Sequence, residues 1–362
     1  LLKEVKVCDP AIGSGAFPMG ILYVLYHAIH HLHSHAEPHG NFDSTQTKRD
    51  IIQNNIFGVD IEQGAVDIAR LRFWLALVVD ADKPQPLPNL DYKITCGNSL
   101  LSRYPIDAPI ENVFVEYNKG KKEDEKMSLA KYKELVSDYT NTSNHQTKEL
   151  FRKTIENIKC SFKTELSKQF KERLAKLRGK VIMLESPTLF GERTKAEKTE
   201  LKKLKEKLKA LEKVQDDTYS STLYEEGNAF EWRFQFPQLL DENGQFMGFD
   251  IVIGNPPYGA KLSDTEKKIF KEKFSDVHMR TPETFCYFTS MAFRLSSKTR
   301  HGIVAYIVPN NIFFQNENEK TRILLAIDNT LLRAINLGDN TFEEADVPTC
   351  IFIAKQEKLD NY

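Results

Sequence analysis

Apolar and polar positions alternate in blocks over the first hundred residues. Residues 5–9 read as a short strand, and residues 16 to about 35 place apolar side chains on one side at helical spacing. A second strand covers residues 55–60, a second helix residues 64–79, and a third strand residues 92–96, ending in Gly97-Asn98-Ser99. Strand, helix, strand, helix, strand predicts a parallel sheet with right-handed crossovers. The pattern breaks near Arg103 and resumes with a fourth strand at residues 249–253. Beyond it the spacing predicts a helix over 283–295, a strand over 302–308, a helix over 320–332, and strands over 333–337 and 349–355. No helix separates the last two, so they are expected to form an antiparallel pair at one sheet edge.

The chain therefore divides into a first half of an α/β domain (1–102), an insertion (103–247) and a second half (248–362). The middle of the insertion is rich in Lys, Glu and Leu. Leu201, Leu204, Leu208 and Leu211 have the spacing of an amphipathic or coiled helix, and Pro187 and Gly191 are expected at the turn between two long helices.

Composition narrows the class. With 362 residues, 41% hydrophobic and 28% charged, the chain has room for about two domains and an ordinary globular balance. Its longest apolar run, residues 73–79, falls far short of the roughly 20 residues a membrane helix requires. Spanning a bilayer is thus excluded, and with no leader pattern at the start a cytoplasmic protein is expected. Cys8, Cys96, Cys160, Cys286 and Cys350 form no Cys-x-x-Cys pair, which argues against a zinc site or a disulfide framework. Six of nine histidines lie between His27 and His39; His27, His31 and His35 share one helix face, read as a solvated helix end, and no metal site is expected. Net charge is −1, yet residues 119–217 hold 26 basic against 17 acidic side chains. Such a segment either attracts nucleic-acid phosphate or keeps an exposed coil in solution, and the two readings weigh evenly.

Four short motifs carry the candidate chemistry. The first, Asp9-Pro10-Ala11-Ile12-Gly13-Ser14-Gly15-Ala16-Phe17, follows the first strand; Gly13 and Gly15 allow a tight turn and a close backbone approach to a ligand. It is neither G-x-G-x-x-G nor a phosphate-binding loop, so neither a dinucleotide nor a nucleoside triphosphate is favoured. The second is Asp60-Ile61 at the carboxyl end of the second strand. A carboxylate there accepts both hydroxyls of a ribose, or caps the next helix. In the third, Gly97-Asn98-Ser99-Leu100, the Asn98 amide suits the edge of an adenine ring. The fourth is Asn255-Pro256-Pro257-Tyr258 after the fourth strand. Two prolines stiffen the turn and present Asn255 Oδ1 and the Pro256 carbonyl as paired acceptors. An amine conjugated to a planar ring is a poor nucleophile until two acceptors hold its hydrogens, and Tyr258 would stack on that ring for about 1–3 kcal/mol.

In this order the four motifs resemble motifs I to IV of the gamma-class adenine-N6 DNA methyltransferases. The resemblance is greatest to the methyltransferase core of type IIG and type ISP restriction–modification enzymes and related phage-defence methyltransferases, over residues 1 to about 102 and 248–356. It implies a Rossmann-like class I fold: a seven-stranded, mostly parallel sheet with an antiparallel edge hairpin, S-adenosyl-L-methionine over the first three strands, and methyl transfer to N6 of an adenine flipped out of double-stranded DNA. It further implies that Asp9, Pro10, Ala11, Gly13, Gly15 and Phe17 serve the methionine part, Asp60 and Ile61 the ribose and base, and Asn98 and Ser99 the cofactor adenine. Asn255, Pro256, Pro257 and Tyr258 become the catalytic group. Residues 305–310 resemble a later strand motif beneath the target pocket, and Phe342 or Phe352 would stack opposite Tyr258. Many relatives carry Asp in place of Asn98. The chain starts at Leu1 and stops just after its last strand, which is read as the core of a longer enzyme with a recognition domain and, in some arrangements, a nuclease domain. Two other functions fit the motifs: methylation of a protein glutamine amide, and a non-catalytic cofactor-binding module of a nuclease complex.

Overall fold

Burial on both faces explains why the short apolar runs near the start become strands rather than helical turns. These are β1 (Val7–Asp9), β2 (Ile56–Asp60) and β3 (Ile94–Cys96), each one or two residues shorter than the spacing suggests. The computed structural model describes residues 1–79, 89–107, 114–142, 144–160, 168–185, 195–218, 228–281, 283–338 and 347–358. Helices α1 (Ala16–Ala36), α2 (Ser44–Asn54) and α3 (Gln63–Val78) connect the first strands. The spacing did not signal α2, because Ile51 and Ile52 are its only buried apolar residues; the Asp43 side chain, accepting from Gln46 N at 2.8 Å, fixes its start.

Among the described residues the insertion holds four helices of 13 residues or more, where two long ones were expected. α4 (Leu129–Asn141) and α5 (His145–Cys160) bury Tyr132, Val136, Ile155 and Ile158 against Tyr92 and Phe234 in a separate small core. α6 (Lys168–Glu185) and α7 (Lys195–Thr218) are the two expected long helices and pack on each other; the turn expected at Pro187 and Gly191 lies outside the described residues. Residues 228–240, within the expected insertion, return to the sheet: Asn98 N donates to Asn228 O and Phe230 N to Leu101 O. Phe230, Trp232 and Phe236 then pack edge to face or tilted against one another, and Phe236 and Trp232 meet Phe57 and Phe249 edge to face in the main core.

β4 (Ile251–Gly254), α8 (Asp264–Lys273), α9 (Thr284–Leu295), β5 (Ile303–Pro309), α10 (Glu319–Ala326), β6 (Thr330–Gly338) and β7 (Thr349–Lys355) complete the domain. The sheet runs β3-β2-β1-β4-β5-β7-β6, with the first five strands parallel and β7 antiparallel to both neighbours. This is the doubly wound, mostly parallel sheet with an antiparallel edge that the sequence suggests. The boundary that differs most is the one between α10 and β6. The helix expected over 320–332 ends at Ala326, because Asn329 Nδ2 caps Leu324 O and Thr330 and Leu331 join the ladder with β7. Pairing at seven positions with β7 outweighs the local helical preference of Leu331 and Leu332.

Cores lie on both sheet faces. α1, α2 and α3 cover one through Leu22, Ile51, Val66 and Phe73. On the other, α9 is buried along almost its whole length, as a helix apolar on all sides must be. Among the described residues no helix is long and apolar enough to cross a membrane.

Candidate active site

β1 has β2 on one side and β4 on the other, so the chain winds outward to β3 and then returns to the opposite side of β1. Open α/β sheets form a crevice at such a reversal, beyond the carboxyl ends of the strands. Here those ends carry all four motifs, and a cavity of about 380 Å³ opens among them.

The first wall is built from the turns after β1, β2 and β3. Gly13 and Gly15 hold φ of 53° and 87°, a left-handed conformation that side chains disfavour, and Gly13 N donates to Asp60 Oδ2 at 2.8 Å. Asp60 Oδ1 accepts from Glu62 N at 3.0 Å, while Glu62 itself occupies the N-cap of α3. Asp60 is therefore not the cap of that helix; it braces the glycine turn, and each oxygen keeps an acceptor site for a ligand. Ile61 beside it is 52% exposed and faces the cavity. Asn98 turns its Oδ1 onto Leu100 N at 3.1 Å, so its acceptor closes its own turn. Ser99 Oγ donates to Pro10 O at 2.5 Å, and Trp232 Nε1 donates to Ser99 O at 3.2 Å. These bonds tie the first and third turns together.

Asp9 stands behind this wall. It is 2% exposed, accepts from Ala11 N at 3.0 Å, and burial pushes its carboxyl up to about 7, against the lowering effect of that bond. A Cβ at Gly254 would come within 2.6 Å of Asp9 Oδ1, so glycine at the end of β4 is what lets the carboxyl fit. The buried Tyr306 hydroxyl, on the neighbouring strand, has no partner among the described residues. Pro10 and Ala11 line the cavity; Asp9, Gly13, Gly15 and Phe17 are not among its lining residues.

The opposite wall begins with Asn255 and Pro257, both exposed, while Pro256 is buried and Tyr258 half-buried. Tyr258 OH donates to Asn255 Oδ1 at 2.5 Å and approaches Ile307 O of β5 at 3.5 Å. Its ring meets Phe285 edge-on, with centroids 6.5 Å apart. Burial, aided by the nearby Cys350 side chain and opposed by the Asn255 bond, raises the phenol to about 12, so it stays a donor at neutral pH.

Several wall residues carry no motif: Leu262, Glu266 and Phe270 around α8, and Thr284 and Phe288 of α9. Glu266 was legible in one respect, since Ser263-x-x-Glu266 is a capping box and both of its bonds form. The aromatic expected opposite Tyr258 is not Phe352, which is fully buried in β7 against Tyr306. Phe342 lies outside the described residues. His27, His31 and His35 are exposed on α1, and no group of three metal-ligating side chains occurs among the described residues.

Comparison with known proteins adds the family. A Methanocaldococcus jannaschii protein named as a type II restriction enzyme and methyltransferase is 28% identical over 380 residues, covering 97% of this chain and 30% of that protein. The chain thus spans less than a third of the length of that curated relative. Among solved structures, a nuclease-deletion mutant of the type ISP restriction–modification enzyme LlaGI, with a DNA substrate mimic, aligns over 99% of this chain and 21% of its own at TM-score 0.45 and 10% identity. The M protein of the type I restriction enzyme EcoKI aligns over 99% of this chain and 43% of its own at TM-score 0.41 and 13% identity. Both alignments are loose, and the site stands on the chain's own geometry. The model of the Eco57I restriction-modification methylase matches residues 54–342, four-fifths of the chain, and the chain belongs to that family.

Proposed function

We propose that this chain transfers a methyl group from S-adenosylmethionine to N6 of an adenine flipped out of double-stranded DNA. The observation that carries the reading is that Asn255 and Pro257 share one cavity with Pro10, Ala11, Asp60 and Ile61. A cavity of about 380 Å³ is in the size range of small-molecule sites.

The wall fits the donor. Asp60 offers a free acceptor site on each oxygen for ribose hydroxyls, and the exposed Ile61 gives an adenine ring an apolar surface. When bound, the donor supplies a methyl group activated by an adjacent sulfonium charge. The protein's part is positional. Asn255 Oδ1 and the Pro256 carbonyl accept the two amine hydrogens, Tyr258 lies against the base, and the nitrogen lone pair is freed from the ring for in-line attack. After transfer one N6 proton would pass to solvent water, and no protein nucleophile is required. The three-part division at 102/103 and 247/248 belongs to this proposal, with residues 228–240 of the middle part packed into the main core, as do a recognition domain and a nuclease in other parts of a longer, cytoplasmic polypeptide.

The test is transfer of tritiated methyl from S-adenosylmethionine to duplex DNA, with digestion to nucleosides. Label in N6-methyladenine is expected. Label in a cytosine derivative, or in a glutamine-containing peptide instead of DNA, overturns the reading, and donor binding without turnover in the full-length protein favours a non-catalytic role.

A further inference from the structure

α8 sets one carboxylate into an otherwise apolar stretch of the cavity wall. Glu266 and Phe270 lie four residues apart on it and so project from one helix face. Both line the cavity, together with Leu262 just ahead of the helix and Phe288 of α9. Glu266 is half-buried, and Phe270 and Phe288 are buried. Ile61 lines the same cavity from the turn after β2. A flat ring resting on Ile61 has Leu262, Phe270 and Phe288 as further apolar lining, with one charged group among them.

Glu266 is held in place without a ligand. In the capping box of α8, Glu266 Oε2 accepts from Ser263 N at 2.9 Å and from Ser263 Oγ at 2.7 Å, and Glu266 N donates back to Ser263 Oγ at 3.2 Å. The cap occupies a single oxygen. The other, Oε1, has no hydrogen-bond partner among the described residues. A carboxylate locked through one oxygen and open at the other is a preorganised acceptor.

The remaining polar groups of the wall leave it a definite task. Asn98 Oδ1 accepts from Leu100 N, Ser99 Oγ donates to Pro10 O, and Thr284 Oγ1 accepts from Ala260 N at 3.1 Å. All three residues are nearly buried. Asp60 is taken by the ribose and Asn255 by the target amine in the reading above. What Asn98 keeps is Nδ2, a donor. A donor suits a ring nitrogen of adenine; the exocyclic 6-amino group requires an acceptor. A primary ammonium fits Glu266 less well, because its three hydrogens and full charge would be desolvated by an apolar lining that offers one free oxygen.

We infer that Glu266 reads the adenine of the cofactor, accepting a hydrogen from its 6-amino group through Oε1 while the Asn98 amide donates to the ring. This rests on the S-adenosylmethionine reading above. It makes a helix-capping residue a specificity-determining one: a purine without the amine leaves the carboxylate facing a C–H, and the loss of one charged hydrogen bond corresponds to about 10- to 100-fold in affinity.

The experiment titrates the full-length protein with S-adenosylhomocysteine and with its analogue carrying hydrogen in place of the 6-amino group. The unsubstituted protein should prefer the amino form by about 10- to 100-fold. Glu266→Gln keeps the cap, because its amide oxygen must serve Ser263 N and Oγ; its NH2 then faces the cavity, and the preference should disappear while the thermal midpoint holds. Glu266→Ala should lose the preference and some stability as well. A preference that persists in both variants, affinities that fall equally for the two ligands, or an unsubstituted protein without preference overturns the role of Glu266 and leaves the donor reading standing. Failure of the unsubstituted protein to bind either ligand overturns both.

Discussion

The hydroxyl of Tyr258 donates to Asn255 Oδ1 across 2.5 Å, joining the two ends of the Asn255-Pro256-Pro257-Tyr258 turn through their side chains. The prolines alone fix the backbone. The phenol adds a fixed rotation of the carboxamide, with Oδ1 rather than Nδ2 toward the hydroxyl and its second lone pair left for a substrate hydrogen.

Tyr258→Phe separates this brace from the ring. The phenylalanine retains the surface for a base and loses one hydrogen bond of about 1 kcal/mol, so the single-turnover rate should fall about fivefold with duplex affinity unchanged. Tyr258→Ala should lose both rate and affinity. A phenylalanine variant as fast as the unsubstituted protein in single-turnover assays would show that the hydroxyl contributes nothing, and equal loss in the two variants would show that the ring contributes nothing.

Asn255→Ala removes the acceptor itself. Transfer is expected to be abolished while S-adenosylmethionine binding, followed by calorimetry, survives, because Asn255 lies across the cavity from Asp60 and Ile61 in this reading. Loss of both together would place Asn255 in the cofactor site instead.

Asp60→Ala should act in the opposite sense. It removes the partner of Gly13 N and Glu62 N together with the ribose acceptor, so donor affinity is expected to fall about 10- to 100-fold, the effect of losing one or two charged hydrogen bonds. Asp60→Asn, which can still accept from Gly13, should fall less. Calorimetric titration with S-adenosylhomocysteine decides it, and undiminished binding by the alanine variant refutes the assignment.

Asp9 gives a pH dependence with a definite sign. Its folded carboxyl is raised to about 7 by burial, whereas the unfolded carboxyl ionises near its ordinary value of about 4. The neutral form is thus favoured on folding: the contribution is complete below about pH 4 and is lost as pH rises through 7. Asp9→Asn, neutral throughout and still able to accept from Ala11 N, should gain stability over the unsubstituted chain between pH 5 and 8, by up to about 4 kcal/mol. Urea denaturation at the two pH values should show the difference growing, and a constant difference would mean that the carboxyl ionises normally.

Trp232 tests where the core lies. Although it falls in the stretch read as inserted, it is 1% exposed and donates to Ser99 O, so Trp232→Ala should cost about 3–5 kcal/mol by denaturant titration. A cost below about 1 kcal/mol would return residues 228–240 to the periphery.

Most strands were legible because buried parallel strands need apolar runs, and the four motifs were legible because each must follow a strand directly. Asp60 shows the limit of that reading. Its place after β2 was evident, but the choice between helix cap and turn brace depended on Gly13, 47 residues earlier. Likewise Phe230 and Trp232 looked like part of a polar insertion, since nothing local records that their partners are Phe57 and Phe249. Leu262, Phe270 and Phe288 reach the cavity only through the packing of α8 and α9, which helical spacing does not encode.

The pairing of β1 with β4 also bears on how such a chain comes to be made. Lys6 N donates to Asp250 across 244 residues, and Val7 lies opposite Ile251. During synthesis the first three strands emerge with one side of β1 open, and they stay so until β4 leaves the ribosome. That open edge is a surface for wrong pairing, which a holdase chaperone would shield. The length of the intervening segment matters far less, because doubling a closed loop costs only about 0.6 kcal/mol. Insertions between β3 and β4 can therefore be exchanged or extended over evolutionary time with little thermodynamic consequence for the two halves they separate.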